Sequence, residues 1–256
     1  MFTRVFFAAI LAGIAAGLVL ATLHHFRTTP LIIAAEAFEG QGAHAPAKEP
    51  SVQEPVTKQP PAHGEAGHNH ATDHKEASSA HNHDANQWAP QDGFERTFYS
   101  FASDIIIAIG FAFLLAATSL LTGIAITPRN GALWGLVAFA VFTLSPAAGL
   151  PPELPGMPAA DLVSRQLWWW GCVIVGAIGV GLIALKQNAL FVIAGTVLIA
   201  APHLIGAPQP VSHETAVPTH MIQAYVANAL FILAITWMTV GTALGFTFKI
   251  QNPAES

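Results

Sequence analysis

Six continuous apolar stretches constrain everything else about this chain. They cover residues 5–23, 103–126, 132–150, 167–185, 189–205 and 222–248. A bilayer core is crossed by about 20 predominantly apolar helical residues. The stretches do not alternate apolar with polar, and an isolated segment satisfies its backbone in lipid only as a helix. Polar, Pro or Gly punctuation separates them: "TPRNG", "LPPELPGMP", "KQN" and "GAPQPVSHETAVPTH". The expected fold is therefore all-α, a polytopic transmembrane helical bundle. It has about six spans, or five if the first is cleaved or not counted.

Charge placement agrees. Only 10% of residues are charged, against about 25% in a soluble domain. Fifteen of the twenty-five charged residues lie between 24 and 98. No basic run suggests nucleic acid. The lone cysteine, Cys172, lies in an apolar segment and is read as a packing residue.

The first stretch has two readings. "MFTR" followed by an apolar core ending in "VLA" resembles a signal peptide cleaved after Ala21. The apolar run is longer than usual for that role, and Ala9, Gly13, Gly17 and Ala21 form a small-residue stripe suited to close helix packing. A retained helix is the preferred reading. Gly241 with Gly245, and Ala177 with Gly181, repeat the spacing. The chain then divides into a first helix at 1–23, a His-rich, largely disordered periplasmic loop at 24–98, and a bundle of about five helices at 99–256.

Orientation follows from basic residues in short loops. Arg4, Arg129, Lys186 and Lys249 fall on one side of a six-span chain. That side is expected to be cytoplasmic and to hold both termini. The long loop, "LPPELPG" and "SHETAVPTH" share the opposite face, the periplasmic side of a bacterial inner membrane. Trp168, Trp169 and Trp170 read as an interfacial belt there.

The segment from about 40 to 88 has too little apolar content to offset ordering entropy and is expected to be disordered. It carries "HNHATDHKEASSAHNHD". His68, His70, His74, His81 and His83 are candidate metal ligands, because neutral imidazole suits Zn, Cu, Fe, Ni and Co. A flexible arm loses entropy on wrapping an ion, which favours capture and hand-off over storage.

A second candidate set lies on the same face but on the bundle: His24, His25, Glu36, Asp104, Glu153, His203, His213 and His220. Ionisable groups at membrane depth are costly and suggest function; Asp104 and His203 are the candidates for that depth. Glu153, held in a proline-stiffened loop, and His203 are expected to form the site that admits the metal. No P-loop, H-E-x-x-H, nucleophile elbow or paired intramembrane carboxylates occur, so no enzyme activity and no resident cofactor are expected.

The segments "RTTPLIIAAEAFE", "LPPELPGMPAADLVSRQLWWW" and "APHLIGAPQP" resemble the CbtA family of predicted cobalt transporter subunits. Outside the histidine linker the resemblance runs through most of the chain. It implies an integral membrane protein associated with cobalamin biosynthesis, commonly with about five spans. It also implies a small one-span partner, CbtB, and Co²⁺ as cargo. The matched motif positions are Glu36, Pro151, Pro152, Glu153, Leu154, Pro155, Gly156, Pro202 and His203. Two other readings stay open: transport of Ni²⁺ or another divalent metal, and a membrane-anchored metal-binding or sensing module serving a separate permease.

Overall fold

The computed structural model describes residues 2–39, 88, 90–186 and 188–251. The histidine tract lies outside them. Every regular element among the described residues is helical. In chain order these are α1 (Phe2–Leu23), α2 (Thr29–Glu36), α3 (Phe94–Thr122), α4 (Gly131–Phe139), α5 (Ser145–Gly149), α6 (Leu162–Lys186), α7 (Ala189–Ile205) and α8 (Thr219–Gln251).

Among the described residues five helices are long and apolar enough to cross a membrane: Thr3–Glu36, Phe94–Thr122, Gly131–Gly149, Leu162–Lys186 and Thr219–Ile250. The sixth stretch, α7, has 17 residues. At 1.5 Å per residue it is about 25 Å long, short of the roughly 30 Å core. Asn188, whose side chain accepts from the Leu190 N–H, fixes its start, and Gly206 at φ 96° fixes its end. The six expected spans are thus five full-length helices and one short one.

Two spans contain a π-helical turn: His24–Thr28 joins α1 to α2, and Ala140–Leu144 joins α4 to α5. Each is followed by a proline, Pro30 or Pro146. A proline ring inside an α-helix clashes with the carbonyl four residues back. The extra residue of a π-turn widens the helix there, with Thr29 N–H bonding to His24 O and Ser145 N–H to Ala140 O. The first span therefore continues through Pro30 to Glu36 as one 34-residue helix. Its length of about 50 Å carries its last turns well beyond the bilayer core.

Glycine lets the helices touch backbone to backbone. A Cβ on Gly13 or Gly17 would overlap the Ile109 or Ile105 backbone of α3. Gly131 and Gly241 face each other across α4 and α8, and Gly135 lies against the Trp237 carbonyl. Gly245 meets Thr127 and Pro128. The stripes expected in the first and last spans therefore are packing faces. In α6 the expected pair is corrected. Gly181 has open space around it, while Gly179 packs on Gly195 of α7. Gly181 instead faces an apolar groove of about 400 Å³ between α6 and α3–α4.

Trp237 is fully buried at the centre. It stacks on Phe111 and Phe142, with ring centroids 4.1 and 5.6 Å away, and donates to Thr143 Oγ1 at 3.2 Å. Cys172 is buried, as expected. Of the three tryptophans, Trp168 turns inward to Pro146 O at 3.5 Å and to the His203 ring, while Trp170 stays exposed.

At one end a smaller core holds the loops. Ala35, Leu154 and Val217 are buried together, joining α2, the "LPPELPGMP" loop and the loop before α8. Thr215 Oγ1 donates to Gly156 O at 3.0 Å, and Gly156 adopts φ 78°, a conformation that favours glycine. Asp161 caps α6, accepting from the Ser164 N–H and hydroxyl, which lower its pKa.

Replacing Gly135 by Leu forces α4 off α8, whereas Gly181→Leu fills open space. We expect Gly135→Leu to destabilise the protein by at least about 1–3 kcal/mol and Gly181→Leu to change little. Thermal unfolding in detergent, followed by circular dichroism, distinguishes the two.

Candidate metal site at the loop end of the bundle

α1 and α3 run antiparallel through their glycine contact and separate where the π-turn begins. A cleft of about 380 Å³ opens there, lined by His24, His25, Glu36, Asp92, Arg96 and Asp104 among others. The depth follows from helix rise. His24 lies about 31 Å along the helix from Thr3, and Asp104 about 27 Å from Thr122. Both values match the roughly 30 Å hydrocarbon core, so a bilayer core beginning at Thr3 and Thr122 would end near the cleft floor.

Asp104 is 8% exposed, and a carboxylate this buried needs a partner. His24 supplies it: Nδ1 lies 3.1 Å from both carboxylate oxygens. A carboxylate only accepts, so Nδ1 carries the proton in the neutral ring and Nε2 keeps its lone pair. This is how proteins commonly orient an imidazole for a metal, with the carboxylate behind the ligand. Nε2 has no hydrogen-bond partner among the described residues.

The cleft mouth is made by α2 and the first turns of α3. Arg96 Nη2 pairs with Glu36 Oε1, and Nη1 lies 3.4 Å from Glu36 Oε2. Nη1 also donates to Asp92 Oδ1 at 3.0 Å. One guanidinium thus holds two carboxylates. His25 packs edge-on against Phe26 and Phe101. Arg27 on the π-turn donates to Asn228 Oδ1 of α8 at 3.2 Å.

The other candidates have separate surroundings. Glu153 pairs with Arg165 at 3.0 Å. His203 Nε2 lies 3.3 Å from Ser145 Oγ and meets the Trp168 ring edge-on. His213 and His220 are exposed on the loop before α8 and on its first turn. The structure thus brings His24, His25, Glu36 and Asp104 to one cleft and leaves Glu153 and His203 with their own partners. No group of three or more His, Cys, Asp or Glu that could hold a metal ion occurs among the described residues. Sequence reasoning missed Arg96, which reads as one more loop charge until α3 is seen to start at Phe94.

The His24–Asp104 link has a direct signature. In ¹⁵N-histidine NMR spectra recorded in alkaline solution, we expect His24 to populate the Nδ1–H tautomer. Asp104→Ala should return it to the Nε2–H tautomer that free histidine favours. An unchanged tautomer in the variant would show that Asp104 does not orient the ring.

No curated protein matches the chain, and no solved structure does. A family model described as "Probable cobalt transporter subunit (CbtA)" matches residues 2–249. That match covers nearly the whole chain, and its five long apolar helices are those of a multi-pass membrane protein. The chain belongs to the CbtA family of cobalt transporter subunits.

Proposed function

We propose that the chain is the multi-pass subunit of a Co²⁺ uptake system in a bacterial inner membrane, and that the cleft between α1–α2 and α3 admits the ion. The observation that carries this reading is the His24–Asp104 pair at the membrane boundary, with an imidazole nitrogen left over. Imidazole suits borderline divalent metals such as Co²⁺. His25 and, further toward the mouth, Glu36 line the same cleft. An open cleft suits an ion that must bind and then leave; conduction requires binding weak enough to release.

In this reading both termini are cytoplasmic. Arg4, Arg129, Lys186 and Lys249 mark that side. The cleft and the histidine loop then face the periplasm. His68, His70, His74, His81 and His83 gather metal near the membrane and pass it to His24. Glu153, His203, His213 and His220 are polar groups on the approach. A small one-span CbtB-like subunit completes the path, and the chain itself performs no catalysis.

A second reading is favoured by the absence of a three-donor group among the described residues. In it the chain binds metal and delivers it to a separate permease. Cargo identity is a further alternative, because Ni²⁺ outcompetes Co²⁺ at N/O sites.

The test is ⁵⁷Co²⁺ flux into proteoliposomes containing the full chain and its partner, with Ni²⁺ as competitor. We expect saturable uptake that His24→Ala lowers at least about tenfold, the scale of losing a metal-site residue. Undiminished uptake by His24→Ala would contradict the assignment of the cleft. Binding without flux would favour the delivery reading.

A further inference from the structure

The cleft mouth contains a cation of its own. Glu36, Asp92 and Asp104 are three carboxylates, Arg96 is one guanidinium, and all four line the same space. With the imidazoles neutral the set carries a net charge of −2, spread between the floor at Asp104 and the mouth at Glu36 and Asp92. Asp104 is taken by His24. Glu36 and Asp92 are both taken by Arg96, whose charge cannot be titrated away.

We infer that Arg96 is a specificity-determining residue: it occupies the oxygen donors of the mouth, so the cleft offers imidazole nitrogen and rejects hard cations. The inference rests on the reading of the cleft as a cation site. Ca²⁺ and Mg²⁺ seek carboxylate oxygens, and their affinity rises with the number of charged ligands supplied. Co²⁺ also accepts nitrogen. Left unpaired, Glu36 and Asp92 would make an acidic mouth that abundant hard cations fill. A fork-shaped guanidinium prevents this, because it holds Glu36 through two nitrogens and still reaches Asp92, which a lysine ammonium does not match. The same contact ties α2 to α3, but a strut alone says nothing about which ion binds.

The probe is Ca²⁺ itself, as ⁴⁵Ca²⁺ binding to the full chain in nanodiscs, alongside Co²⁺ binding. Wild type is expected to show little Ca²⁺ affinity. Arg96→Gln should raise it at least roughly tenfold, on the scale of charged-ligand and supporting-residue effects. Adding Glu36→Gln and Asp92→Asn to that variant should remove the gain. Arg96→Lys, which keeps a cation without the fork, should gain less, and it carries the test if Arg96→Gln does not fold. Ca²⁺ affinity that stays at the wild-type level in folded Arg96 variants overturns the inference. So does a gain that persists without the two carboxylates. Failure of the underlying reading looks different: His24→Ala would then leave ⁵⁷Co²⁺ flux into proteoliposomes undiminished, whatever Arg96 variants do with Ca²⁺.

Discussion

The backbone-to-backbone contact between α1 and α3 sets the position of everything at the loop end. Lipid tails are as apolar as leucine, so no hydrophobic force draws helices together inside a membrane. Close packing does, and only small residues permit it. Gly13 rests on Ile109 and Gly17 on Ile105, one helical turn further along each antiparallel helix. Continuing that register brings Ala21 and Phe101 to the cleft wall. From the next turn of α1 His24 reaches back to Asp104 of α3, a pair 80 residues apart in sequence. Gly131, Gly135 and Gly241 join α4 to α8 by the same physics, around Trp237.

The π-turn at His24–Thr28 then changes what the first helix can do. A proline within a helical span commonly kinks or ends it. Here the widened turn absorbs the proline, and α2 continues the helix to Glu36, beyond the length a bilayer core requires. The projecting turns carry Glu36 to Arg96 and bury Ala35 against Leu154 and Val217. Several charged groups at this end of the bundle are paired: His24 with Asp104, Arg96 with Glu36 and Asp92, Arg165 with Glu153. Pairing offsets the cost of holding charge near an apolar phase.

Much of the fold was legible in the sequence, because span length and apolar continuity are local properties. The Gly13–Gly17 and Gly241–Gly245 stripes were legible for the same reason. The continuation to Glu36 was not, since Pro30 reads as a break and a π-turn leaves no simple composition signal. Gly179 was missed in favour of Gly181, because a spacing rule cannot tell which face of α6 meets α7. His24, His25, Glu36 and Asp104 were all visible as candidates by residue type. Their convergence was not, since it depends on the register of two helices separated by a long loop. Arg96 was hidden by the same loop, inside a helix that begins nine residues before the apolar run does.

Paramagnetic Co²⁺ tests the location of the site most directly. Added to full-length protein with labelled methyl groups in nanodiscs, it perturbs signals in proportion to nearness. We expect the Ala21 and Thr97 methyls lining the cleft to respond first and His24→Ala to abolish their response. Perturbation centred on residues around His203, with the cleft methyls silent, would contradict it.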